Sequence, residues 1–230
     1  MDFKVSRKKL IILLLLGALG CILLGSSDWL MIYGSTAYEG ELAWLTQGVA
    51  QIPSGRNAAA LALSFPAVIL YSFGLFALRY YIVQSKERKN YCFLTALGMT
   101  PWLALHLFYI MILYAFAHLM KSGHEETAYF ICEAMFAHFS WVVILSEVLM
   151  LLPFLYLVIL ILRRKTVFGK AMALNNPLIL YIVLKLITLL MPDLPFRLAF
   201  TNGLMSEAML IWFIIFIFST KSPEGGKKND

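Results

Sequence analysis

A chain of 230 residues that is 61% hydrophobic and only 14% charged has too little polar surface to cover a water-soluble globule, which carries about 25% charged residues. Its excess apolar surface must face lipid, and at about 20 apolar residues per span the length holds at most six or seven helices, with no room for a separate soluble domain. The net charge of +6 does not point to nucleic acid, because the basic residues sit between apolar segments and form no surface of their own. The three cysteines, Cys21, Cys92 and Cys132, make neither a disulfide framework nor a paired zinc motif.

The first span is expected at about residues 10–25, behind Lys4, Arg7, Lys8 and Lys9, with Gly17, Cys21 and Gly25 spaced so that another helix can approach closely. A basic stretch, an apolar run and then Gly25-Ser26-Ser27 also fits a cleavable signal peptide. The small-residue stripe and the polytopic chain behind it favour a retained helix. Gly25-Ser26-Ser27-Asp28 reads as a helix cap. Residues 26–56 then form a semi-polar outer segment with the interfacial aromatics Trp29, Tyr33, Tyr38 and Trp44, and with a short amphipathic helix over 41–52. The remaining spans are expected at about 57–83, 92–119, 134–162, 176–191 and 198–219.

The basic residues orient these spans. The N-terminus, the second-to-third loop, the fourth-to-fifth loop and the tail together carry 14 Lys and Arg, against 3 on the other face, Arg56, Lys121 and Arg197. Arg79 is set aside as a snorkelling residue and Lys185 lies within a span. The positive-inside rule places both termini in the cytoplasm. The expected fold is an all-α, polytopic bundle of six transmembrane helices.

Counting inward from the helix ends at about 1.5 Å per residue brings four ionisable residues near the midplane, His106, Glu147, Lys185 and Glu207, one from each of four helices. Charge at that depth is costly and normally faces the bundle interior, paired. Lys185 with Glu207 or Glu147 is the expected ion pair. Glu133, Ser140 and Glu147 recur every seven residues and form a polar stripe from the outer surface to the centre. These six residues are the candidate solute or ion site, and the bland alternative is structural glue that fixes helix register. A second constellation, His118 and His138 with Glu133 and Asp28 at a similar level, suggests a zinc-dependent hydrolase at the outer face. It lacks the H-E-x-x-H spacing of zinc proteases, and neither a G-x-S-x-G elbow nor a phosphate-binding G-x-x-x-x-G-K-[ST] loop occurs.

The exit from the first helix through Gly25-Ser26-Ser27-Asp28-Trp29-Leu30-Met31, followed by Arg56 at the mouth of the second, resembles a pattern in uncharacterised six-helix bacterial integral membrane proteins. The resemblance covers about the first third of the chain. It implies a bacterial inner-membrane location and directs attention to Asp28 and Arg56 as an outer-rim pair. The expected function is the binding or movement of a small solute or ion through a polar bundle centre without ATP. The alternatives are the metal-dependent hydrolase and a non-catalytic immunity or assembly partner in the membrane. The bilayer is the expected surrounding, and no cofactor is expected apart from zinc in the hydrolase reading.

Overall fold

The computed structural model describes residues 5–34, 47–192 and 195–220. Within them the chain forms seven α-helices and no strand, with one isolated bridge between Ile82 and Thr166. Five helices are long and apolar enough to cross a membrane: α1 (Arg7–Ile32), α3 (Ser54–Ala77, continued as a tighter turn to Tyr81), α4 (Ser85–Lys121), α5 (Glu125–Leu162) and α7 (Pro195–Ser219). The sixth apolar helix, α6 (Pro177–Leu189), has 13 residues and spans about 20 Å, short of a hydrocarbon core of about 30 Å. A single-turn α2 (Gln47–Gln51) lies against α4. Tyr38, Trp44, the first part of the expected 41–52 helix, Asp193 and the basic tail lie outside the described residues.

Local chemistry explains most helix ends. Ser6 caps α1 by accepting from Lys9 N, and Asn176 caps α6 by accepting from Leu178 N at 2.9 Å, with Pro177 at the first helical position where its missing N–H costs nothing. The turn from α4 to α5 is three residues long. Gly123 takes φ +79°, and the N–H groups of Gly123 and His124 return to the carbonyls of Met120 and Leu119, which satisfies the end of α4. The same pattern closes α5, but there the left-handed position is held by Arg164 at φ 56°. A side chain in that region is strained, so Arg164→Gly is expected to stabilise the protein by about 0.5–1 kcal/mol. An unchanged or lower melting temperature would contradict this.

α1 sits between α3 and α7, α4 joins α3 to α5, and α6 packs on α7. The bundle has a basic end. Arg7 donates to the Thr220 carbonyl, Arg88 to those of Ile82 and Val83, and Lys165 pairs with Glu87, which also accepts from Tyr156. At the other end Lys121 closes onto Ile52 O and Ser54 Oγ. Large apolar side chains project outward along the whole bundle, among them Phe65, Phe93, Phe130, Trp141 and Leu190, as a lipid-facing surface requires.

The structure corrects several boundaries. α1 does not stop near Gly25 but continues to Ile32, so Ser26, Ser27 and Asp28 are helical and form no cap. The continuation is held from outside the helix, because the fully buried Ser27 hydroxyl donates to the Ala60 carbonyl at 2.8 Å. α5 begins at Glu125, well before the expected 134, because the turn from α4 closes in three residues, and α4 begins at Ser85, well before the expected 92. The small residues of α1 do not share one contact. A Cβ on Gly17 would meet Gly74 Cα at 2.6 Å and one on Gly20 would meet Tyr71 N at 2.4 Å, both on α3, whereas Gly25 faces Ser206 and Glu207 on α7.

Candidate functional site

Toward the end opposite the basic one, α1 and α7 part to leave a pocket of about 790 Å³. Ile22, Leu30, Phe196 and Leu210 supply apolar wall, and Trp29, Arg56, Ser206 and Glu207 bring polar groups. Glu207 is the chemical centre. Its Oε1 accepts from the Trp29 indole N–H at 3.0 Å, while Oε2 is buried and has no hydrogen-bond partner. The carboxylate folds back along its own helix, so that a Cβ on Gly203 would lie 2.6 Å from Oε1. Gly203 is therefore the space in which the carboxylate sits.

Trp29 is fixed by aromatic edges. It meets Phe196 at 5.1 Å and Phe200 at 6.3 Å, both nearly perpendicular, and those two rings stack on each other at 5.9 Å. Such edge-to-face pairs contribute about 0.5–1.5 kcal/mol each and hold the indole where its N–H reaches Glu207. At the mouth, Arg56 donates to the Tyr33 carbonyl at 3.0 Å and toward the Trp29 carbonyl at 3.5 Å. It thereby satisfies the exposed carbonyls at the end of α1 and places a positive charge where the helix dipole is negative.

The comparison with protein families extends over nearly the entire chain. A model described as "Family of unknown function (DUF6796)" matches residues 1–222. The chain belongs to this family. The match agrees with an uncharacterised family and reaches far past the N-terminal third that carries the sequence resemblance. No curated protein and no solved structure matches the chain.

In this DUF6796 chain the expected site residues separate into two groups. Glu207 and Arg56 line the pocket, whereas Asp28 is half-buried on α1 and does not line it. The outer-rim pair does not form, because Arg56 turns to backbone carbonyls. Glu133, Ser140, Glu147 and Lys185 are exposed on the outside of the bundle. The Glu133 stripe therefore faces away from the interior, and the expected pairing of Lys185 with Glu207 or Glu147 is absent. Among the described residues Lys165–Glu87 is the one ion pair.

His106 is half-buried and remains within its own helix, its ring 4.2 Å from that of Trp102 and its Nδ1 3.4 Å from the Trp102 carbonyl. His118 and His138 are both exposed. Among the described residues no group of three or more His, Cys, Asp or Glu is placed to hold a metal ion.

Sequence reasoning missed Trp29, Gly203, Phe196 and Phe200. Trp29 reads as an interfacial aromatic as long as α1 is taken to end at Gly25. The available signal was the four-residue interval that joins Cys21, Gly25 and Trp29 on one helical face.

Proposed function

We propose that this DUF6796 protein is a multi-pass membrane protein of the bacterial inner membrane that binds a small amphipathic solute between α1 and α7 without ATP. Its basic end faces the cytoplasm. The solute has an apolar or aromatic body and a positively charged or hydrogen-bond-donating group. The observation that carries this reading is Glu207: one oxygen is engaged by Trp29 and the other is buried, unpartnered and beside a pocket with mostly apolar walls. A buried polar atom without a partner is costly, and a donor supplied by a ligand would remove that cost. The pocket volume of about 790 Å³ falls in the range of about 300–1,000 Å³ found for small-molecule sites.

Phenethylamine and phenylpropionate test the charge requirement, because they share a ring and differ in the sign of the head group. Phenethylamine is expected to raise the melting temperature of the purified protein and phenylpropionate to leave it unchanged. In Glu207→Gln the carbonyl still accepts from Trp29 but the negative charge is gone, and the phenethylamine shift should disappear. Equal shifts from the two compounds, or an undiminished shift in Glu207→Gln, would refute the reading.

A further inference from the structure

Two charged side chains of opposite sign are exposed on apolar helices, among residues expected to meet lipid. Glu147 on α5 is exposed between Ile144 (63% exposed) and Val148 (50%), and Lys185 on α6 is exposed between Ile182 (57%) and Leu186 (56%). Neither belongs to the pocket, and neither forms an ion pair within the described residues.

Their depths agree. At about 1.5 Å per residue, Glu147 lies about 22 Å from the end of α5 at Leu162. The start of α6 is pinned to α5 by Asn176 Nδ2, which donates to the Phe154 carbonyl at 3.3 Å. Phe154 is about 12 Å from Leu162, and Lys185 is about 12 Å further along α6. Both charges thus stand about 22–24 Å above the basic end, within a hydrocarbon core of about 30 Å. Beyond Asn176 the two helices share no extended contact, since α5 packs on α4 and α6 on α7.

Apolar side chains on this face are at ease in lipid, but an unpaired carboxylate and ammonium are not. A surface that carries one charge of each sign at matched height is self-complementary, and a two-fold axis along the membrane normal would satisfy both charges on both copies at once. We propose that the α5–α6 face is the contact between two copies of this chain, with Glu147 of each copy paired to Lys185 of the other. The second copy is favoured over any other occupant because it brings both required charges at the required depth. The inference rests on the membrane reading of the chain and not on the pocket or its ligand.

The test uses full-length copies carrying two different tags, co-expressed and recovered from the membrane fraction. Wild-type copies are expected to co-purify. Two Glu147→Lys copies, or two Lys185→Glu copies, set like charges against each other, and co-purification should fall about tenfold or more. Glu147→Lys co-expressed with Lys185→Glu restores both pairs across the interface, so co-purification should return to the wild-type level. A pair formed within one chain would stay broken in that mixture, and failure to recover overturns the proposal.

Wild-type copies that do not co-purify, or reversed copies that co-purify as wild type, also overturn it. Should the reversed chains fail to reach the membrane, Glu147→Cys and Lys185→Cys copies decide the matter. An oxidised dimer linking the two is expected, and its absence counts against the interface. Wild-type protein found in the soluble fraction would instead sink the membrane reading on which the proposal rests.

Discussion

Gly20→Val is expected to prevent α1 from seating on α3 and to cost about 3 kcal/mol, the upper end of the usual range for overpacking. The reason is what the new side chain would strike. A Cβ at this position lies 2.4 Å from Tyr71 N, 2.8 Å from Tyr71 Cα and 2.9 Å from Ala67 O, all main-chain atoms that no rotamer change can move. One turn away, Gly17 and Gly74 make an equally close approach, with a Cβ on either falling within 2.7 Å of the other's Cα. Relief therefore requires the helices to separate along the whole contact. Between helices in lipid the hydrophobic effect supplies little attraction, so close packing carries a large share of the association energy. Gly55→Val provides the control, since nothing lies within 4 Å of a Cβ at that position near the start of α3. The measurements are melting temperature and the yield of folded protein after extraction. A Gly20→Val protein as stable as Gly55→Val would show that the α1–α3 contact does not hold the fold.

The sequence made helix positions legible but left many of their ends unreadable. Long apolar runs announce α1, α3, α4, α5 and α7 because lipid demands them. What stretches α1 to Ile32 is the bond from Ser27 to the Ala60 carbonyl and the one from Trp29 to Glu207, partners 33 and 178 residues away. Ser-Ser-Asp is a poor helix-forming sequence on its own, and no local pattern reveals that another helix completes it. The ends of α4 and α5 turn on Gly123, whose left-handed conformation lets the chain reverse in three residues.

The candidate site shows a different limit. Counting along a helix gives the height of a residue but not the side of the helix on which it points. Glu147, Lys185, Glu207 and His106 look equivalent by height, yet Glu207 borders a pocket while Glu147 and Lys185 face outward. On an amphipathic helix the polar face would settle the direction. α5 is apolar nearly all the way round, so its periodicity does not distinguish the face against α4 from the face against lipid. The pocket walls were harder still, because Trp29, Phe196 and Leu210 are ordinary apolar residues until two helices diverge around a carboxylate.

Trp212→Ala should lower stability by about 3–5 kcal/mol, the range for emptying a buried large aromatic site. Trp212 is 2% exposed and joins three partners: Phe154 on α5 at 5.5 Å in an edge-to-face arrangement, Phe216 one turn along at 5.1 Å, and Phe213 at 5.7 Å. Phe216 continues the cluster to Tyr81 at 5.4 Å and Phe168 at 5.1 Å. One aromatic row of α7 thus ties together α3, α5 and the segment between α5 and α6. Removing the indole leaves a void that rigid neighbouring rings cannot fill by small shifts, since close-packed interiors collapse only in part. Trp212→Phe keeps one ring in place and should cost less. Ile214→Ala, at a position 40% exposed on the same helix, controls for lost apolar area and should cost least. Thermal unfolding of the three variants in one detergent gives the ranking. If Trp212→Ala melted no lower than Ile214→Ala, the aromatic row would not be what fastens α7 to the bundle.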